Sequence, residues 1–165
     1  MEHAPSEHPW LVALEQSALG AAMRQSEWLY PLVEILHILG FAILVGSIVG
    51  FDLRILGVNR RLPALVFARH NVPLAMVGFF IAAPMGFLLF ATEATSIAVN
   101  TAFQIKLALI AAGLLNAGLF HLGPWRDIDH WGQSVTAPGL ARVGAVISLL
   151  AWTGAIVGGR LIAYL

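Results

Sequence analysis

Two side chains with chemical potential, Glu34 and His37, lie inside the apolar stretch WLYPLVEILHILG at positions 28 to 40. In a helix, a spacing of three residues places them on one face, about one turn apart. A carboxylate that orients an imidazole is how proteins support a metal-binding histidine. A neutral histidine that donates a hydrogen bond to Glu34 or to a backbone carbonyl would give the same pattern. We therefore treat Glu34 and His37 as a candidate metal site, and His37 as a candidate haem ligand.

A second candidate pair is His70 with His121. Both lie at ends of apolar stretches, and pairing these stretches across a turn near residue 96 brings the two histidines to about one depth. Two histidines on neighbouring helices at one depth can hold a haem b group. The alternative is that both side chains face headgroups or water at helix ends. The predicted cofactor ligands are thus His37, His121 and His70.

Further polar residues within the apolar stretches are interpreted as structural. An ionisable group at bilayer depth is costly unless it is paired or reaches the surface. Lys106 is expected to neutralise Glu34, because their spans enter the membrane from the same side. Asn116 is expected to form a hydrogen bond to a neighbouring helix. The full set of structural polar residues is Glu34, Lys106, Asp52, Arg54, Asn116 and Arg160.

The composition is that of a polytopic membrane protein. Apolar residues make up 59% of the 165 positions and charged residues only 11%, whereas soluble domains carry about 25% charged residues. Because a helix needs roughly 20 apolar residues to cross a bilayer, four stretches qualify. They predict an all-α, up-down four-helix membrane bundle that forms a single domain over residues 1–165. The predicted spans are 29–56, 72–91, 102–122 and 140–165, preceded by an amphipathic interfacial helix over 8–25.

Several classes of function are disfavoured. The formal net charge is zero, which gives no footprint for nucleic acid. The chain has no cysteine, so disulfides and thiolate sites are excluded. It also has no glycine-rich phosphate loop, no G-x-S-x-G elbow and no H-E-x-x-H motif. We do not expect the chain to be an enzyme on its own.

Basic residues predict the orientation. Positive residues near short loops mark the cytoplasmic side of a membrane protein. Six lie on one predicted side, against three on the other. Both termini are therefore expected in the periplasm, with the chain in the inner membrane of a bacterium. The six are Arg54, Arg60, Arg61, Arg69, Arg126 and Arg142, and the three are Arg24, Lys106 and Arg160.

Two glycine pairs have the spacing of close helix contacts. They are Gly46-x-x-x-Gly50 in the first span and Gly154-x-x-x-Gly158 in the fourth. Small residues four apart let the backbones of membrane helices approach one another. Both pairs are predicted to lie at helix–helix contacts.

The segments WLYPLVEILHILG, GSIVGFDLRILG, GFFIAAPMGFLLFATEA, NTAFQIKLALIAAGLLNAGLFH and GRLIAY together resemble an uncharacterised bacterial family of small four-span membrane proteins, catalogued as a domain of unknown function. The resemblance covers nearly the whole chain. Its layout is loosely similar to that of copper-resistance and cytochrome b561 type membrane domains. His70 lies outside the recognised pattern. The positions that the resemblance implies are Glu34, His37, Asp52, Arg54, Lys106, Asn116, His121 and Arg160.

Three functions stay open on the sequence alone. The first is a haem-binding or quinone-facing electron-transfer subunit. The second is a copper-handling membrane protein that uses His37, Met85, His3 and His8, although soft copper sites favour richer Cys and Met sets. The third is a non-catalytic anchor or accessory subunit of a larger complex. Expected partners are the lipid bilayer, other membrane or periplasmic subunits, or further copies of the chain.

Overall fold

A computed structural model describes residues 8–58, 61–131 and 136–164, and these residues are helical with no strands. His3 and Arg60 lie outside the described residues. Four helices are long and apolar enough to cross a membrane. The prediction of an all-α bundle with four membrane-type helices is confirmed. In chain order the elements are α1 (Pro9–Glu15), α2 (Ala18–Gln25), α3 (Leu29–Leu56), α4 (Ala64–Thr92), α5 (Ala94–Ile97), α6 (Thr101–Leu122), a 3₁₀ segment (Pro124–His130) and α7 (Gly139–Leu161).

The N-terminal segment differs from the single helix predicted over 8–25, because it is divided into α1 and α2. Ser17 causes the break: its hydroxyl donates to the Leu14 carbonyl and accepts from the Gly20 amide, so it ends one helix and caps the next. The break changes which side chains share a face. Leu11 and Met23 become the largest fully buried side chains, so this segment packs on the protein itself.

The same segment is bonded to the corner between α4 and α5. The Glu15 carboxylate accepts two hydrogen bonds from Thr95, 2.9 Å from its amide and 2.8 Å from its hydroxyl. The hydrogen bond from the Thr95 amide, and to a smaller extent the one from the Thr95 hydroxyl, lowers the pKa of Glu15 below its ordinary value. Arg24 donates to the Thr92 carbonyl at 2.9 Å, which satisfies a free acceptor at the end of α4. These bonds hold the C-terminal end of α4 in place. We call the end of the bundle that carries Pro9 and Tyr164 its outer end, and the opposite end its inner end.

The second membrane helix is longer than predicted. It begins at Ala64, not near residue 72, and continues through Pro73 and Pro84. The polar run Arg69-His70-Asn71, which precedes the predicted span, forms helical turns at the inner end of α4. Proline is tolerated inside a membrane helix when neighbouring groups satisfy the backbone that it frees. The last helix ends at Leu161, followed by a turn to Tyr164.

The four long helices are arranged as two pairs. Helix α4 packs on α3, α6 packs on α7, and contact between α3 and α7 joins the pairs. Among the described residues, α4 and α6 make little backbone contact with each other. Towards the outer side they are joined by the stacked rings of Phe90 and Phe103, whose centroids lie 5.2 Å apart. The inner halves of α4 and α6 thus form the two sides of a cleft.

Glycines allow the close approach within each pair. A methyl group on Gly78 would lie 2.5 Å from the Leu44 nitrogen, and one on Gly40 would lie 2.7 Å from the Ala82 nitrogen. Gly154 likewise faces α6, where a methyl group would lie 2.8 Å from the side chain of Leu109. The prediction of a close contact is wrong for Gly46, which has no neighbouring atom within 4 Å of such a group.

The inner end of the bundle is closed by a hydrophobic cluster. The 3₁₀ segment folds beneath the helices and buries Ile128, while Trp131 accepts a hydrogen bond from the first amide of α4 through its carbonyl. Small residues on α4 and α7 allow this packing. The cluster comprises Ile55, Ala64, Ala68, Ile128, Trp131, Ala141 and Ala145.

Candidate ligand site

A cavity of about 320 Å³ lies between the inner halves of α3, α4, α6 and α7. Its walls are mostly apolar, and Phe51, Phe79, Phe120 and Trp152 contribute aromatic rings. Ligand sites in proteins commonly have volumes of about 300–1,000 Å³ and an apolar lining with a few polar groups. The cavity is therefore large enough for a small organic ring.

The cavity opens sideways, towards the region that lipid would occupy. The residues that line it from α3 and α7, such as Leu44 and Trp152, are buried. Lining residues from α4 are also exposed on the outside of the bundle, with Met76 at 55% and Phe80 at 68%. Ile55, shared with the inner cluster, closes the inner side. A ligand would thus enter between α4 and α6 from the apolar part of the bilayer.

A carboxyl group is buried in the wall of this apolar cavity. Asp52 is only 6% exposed, and Ser148 of α7 lies within hydrogen-bonding reach of its carboxyl group. The other carboxyl oxygen, Oδ2, has no hydrogen-bond partner among the described residues. Leaving a buried polar atom unsatisfied costs about 1–3 kcal/mol. A ligand group that bonds to Oδ2 would remove this cost.

Two amides in the lining leave their carbonyl oxygens available. Asn71 donates from Nδ2 to the Phe67 carbonyl at 2.9 Å, and Asn116 donates from Nδ2 to the Gly144 carbonyl of α7 at 3.1 Å. Because a carbonyl can only accept, these bonds fix which end of each amide is nitrogen. The Oδ1 atom of each amide is then an acceptor, and both residues line the cavity.

His121 is the predicted haem ligand that lines the cavity. Its Nδ1 donates to the Ala117 carbonyl at 2.8 Å, and its ring stacks on Trp125 with centroids 4.8 Å apart. In a neutral ring this leaves Nε2 as an acceptor. His70 is exposed, and its neighbour Asn71 lines the cavity instead.

His37 lies in the outer half, beside the second proline of α4. Its Nδ1 donates to the Ala82 carbonyl at 2.7 Å. The ring rests against Gly86, where a methyl group would lie 2.8 Å from its Cε1 atom. No hydrogen bond joins His37 to Glu34, although the structure describes both residues; Glu34 and Lys106 lie only within electrostatic range of the ring. The group that orients His37 is thus a backbone carbonyl.

The other polar residues make local contacts. The structure describes both Glu34 and Lys106 and records no ion pair between them; Glu34 is exposed and Lys106 lies against Gly158. Arg54 donates from Nε to the Leu62 carbonyl at 2.7 Å. Arg160 donates to the Tyr164 hydroxyl at 2.8 Å. Within the described ranges, no group of three or more His, Cys, Asp or Glu side chains is placed to hold a metal ion.

The sequence predicts Asp52 as one of several structural polar residues, but it does not distinguish Ser47 and Ser148, which also line the cavity. A serine in a membrane helix is a weak signal, because it commonly bonds to its own backbone. The informative signal was Asp52 itself, a carboxyl group inside an apolar span. Its position in a cavity depends on how α3 is rotated against α7.

The fold and the site define a multi-pass membrane protein with a cavity that contains a buried carboxyl group. A comparison with protein-family models, curated proteins and solved structures finds no match to the chain. The resemblance stated from the sequence therefore stays a prediction.

Proposed function

We propose that the protein is a quinone-facing membrane subunit that takes a small ring-bearing molecule from the bilayer into the cavity between α4 and α6. The observation that carries this proposal is the buried Oδ2 atom of Asp52, which has no partner among the described residues and lies in the wall of an otherwise apolar, aromatic cavity. A buried polar atom of this kind favours a ligand that carries both an apolar body and a polar group.

The shape and surroundings of the cavity suit a quinone-type ring. Aromatic side chains such as Phe51 and Phe120, whose ring centroids lie 5.5 Å apart, offer edges and faces to a planar ligand. Polar atoms at Asp52, Asn71 and Asn116 can bond to the ring oxygens. The sideways opening gives access from the hydrocarbon layer, where lipid-soluble rings concentrate. In this role the chain binds and orients the ring, and a partner subunit exchanges electrons with it.

The proposal is tested by binding of a short-chain quinone to the purified protein in lipid nanodiscs. Titration calorimetry should show saturable binding to the wild type. Ala117 lines the cavity on the exposed side of α6, so Ala117→Phe should fill the opening and abolish binding. Ala112, on another exposed face of α6, is the matched control, and Ala112→Phe should bind normally. Wild-type affinity in Ala117→Phe, or a wild type that saturably binds neither the quinone nor its reduced quinol, would refute the proposal.

Haem is the second candidate, and His37 is the observation that favours it. Its Nδ1 proton is directed to the Ala82 carbonyl, which in a neutral ring leaves the Nε2 lone pair available. Histidines that bind metals are oriented in this way. An optical spectrum of the purified protein, oxidised and then dithionite-reduced, decides this alternative. A Soret band with reduced α and β bands that disappears in His37→Ala would support haem, and a colourless protein would refute it. Metal analysis of the same two samples tests copper.

A further inference from the structure

The polar atoms that the cavity presents to a ligand are mostly hydrogen-bond acceptors. The Oδ2 atom of Asp52 has no partner among the described residues. The amides of Asn71 and Asn116, which both line the cavity, each donate an N–H to a helix carbonyl, and this leaves their carbonyl oxygens as acceptors. In a neutral ring, the Nε2 atom of His121 is an acceptor as well. The serine hydroxyls in the lining can act either way.

An excess of acceptors over donors in the lining favours one of the two redox forms of a quinone ring. A quinone carries carbonyl oxygens, which only accept, so it offers nothing to the free Oδ2 of Asp52 when that group is ionised. A quinol carries two hydroxyl groups, each of which can donate. The preference belongs to the ionised carboxylate, since a protonated carboxyl group can itself donate its O–H to a quinone carbonyl. Burial strengthens the preference, because an unsatisfied polar atom cannot turn to water in an apolar cavity.

Resting on the proposed quinone-facing role, we propose that the cavity binds the reduced, hydrogen-bond-donating quinol in preference to the quinone, with Asp52 as the principal acceptor and Asn71 as a second. Binding of the reduced form shifts the couple in which one quinone, two electrons and two protons give one quinol. A tenfold preference for quinol would raise the midpoint potential of the bound couple by about 30 mV. The cavity would thus suit a site that receives quinol and passes its electrons onward.

The test compares trimethylhydroquinone with trimethylbenzoquinone, which share a ring and substituents and differ in their hydroxyl hydrogens. Each is titrated anaerobically into the wild-type protein in nanodiscs. We expect the hydroquinone to bind about tenfold or more tightly than the quinone, which is the scale of a hydrogen bond to a charged group. The Asp52→Asn variant, which introduces a donor, should lose most of this difference. Asp129→Asn, at an exposed position in the 3₁₀ segment, should keep it.

Asn71→Leu provides a second, independent variant if Asp52→Asn does not fold. It removes an acceptor at a half-buried position and should weaken hydroquinone binding while leaving quinone binding unchanged. Equal affinities for the two forms, or tighter binding of the quinone, would overturn this inference and leave the proposed function standing. A preference that survives both Asp52→Asn and Asn71→Leu would overturn it too. If neither form binds, the proposed function itself fails.

Discussion

The contact between α3 and α4 gives a quantitative test of the packing. A methyl group on Gly78 would lie 2.5 Å from the Leu44 nitrogen and 2.6 Å from the Gly40 carbonyl oxygen. Both neighbours are backbone atoms, so a rotamer change cannot relieve the clash. Ordinary contact begins near 3.4 Å, so the two helices would have to separate by about 0.9 Å. Overpacking of this kind costs about 1–3 kcal/mol.

Gly46 provides a matched control within the same bundle. It lies in α3, in the interior of a membrane helix like Gly78, but a methyl group there meets no atom within 4 Å. Both Gly→Ala substitutions gain helix propensity of up to about 1 kcal/mol. This gain cancels when the two variants are compared. We therefore expect Gly78→Ala to be less stable than Gly46→Ala by about 1–3 kcal/mol.

The free energy of unfolding is measured by reversible denaturation in mixed detergent micelles, with tryptophan fluorescence as the signal. The wild type and both variants are compared under one condition, so that detergent effects cancel. Gly46→Ala should be as stable as the wild type or more stable. Equal stabilities for Gly78→Ala and Gly46→Ala would refute the packing of α3 on α4 described here. If Gly46→Ala alone were destabilised, the close helix contact predicted at Gly46 from the glycine spacing would be correct instead.

Three further predictions concern electrostatics and orientation. Because the hydrogen bonds from α5 lower the pKa of Glu15 below 4.5, its contribution to stability is complete above that pH and is lost as pH falls through the folded pKa. In thermal melts, the melting temperature of Glu15→Gln should therefore fall less at acid pH than that of the wild type. The same pH dependence in both proteins would contradict the hydrogen bonds between Glu15 and Thr95. In spheroplasts, an impermeant maleimide should label Ser96→Cys and not Asp127→Cys, since the chain has no cysteine of its own; the reverse pattern would invert the orientation. Glu34→Gln and Lys106→Met should have additive effects on stability, and a coupling above about 1 kcal/mol would reveal an ion pair.

The fold class could be predicted because it depends on a local property, the length of each apolar stretch. The bounds of α3 and α6 follow from that property closely. The start of α4 was missed because the apolar stretch begins only near residue 72, whereas the helix starts earlier with a polar end that includes Arg69 and Asn71 and fits the edge of a membrane. The break in the N-terminal segment was missed because the apolar stripe continues across Ser17, and the cap depends on a hydroxyl that bonds in both directions.

The candidate site could be predicted only in part, because it depends on the rotation and partner of each helix. The sequence marks Asp52 as costly to bury, but it cannot show that Ser148 from the last helix lies beside it. Glycine spacing had the same limit: Gly46 fits the pattern for close contact, whereas Gly40 and Gly78, with no such spacing between them, form one. Residue types indicate which groups need partners, and tertiary packing decides which partners they receive.

The cavity is formed by the protein before any ligand binds, because α4 is held at three levels. At the outer end Arg24 bonds to the Thr92 carbonyl, and in the middle Gly78 lies against α3. At the inner end its first amide bonds to the Trp131 carbonyl. Helix α6 has fewer restraints on this side, since it packs mainly on α7 and, among the described residues, makes little backbone contact with α4 besides the stack of Phe103 on Phe90. A ligand that enters the cleft between α4 and α6 therefore needs to displace only α6. Little binding free energy is then lost to ordering the site.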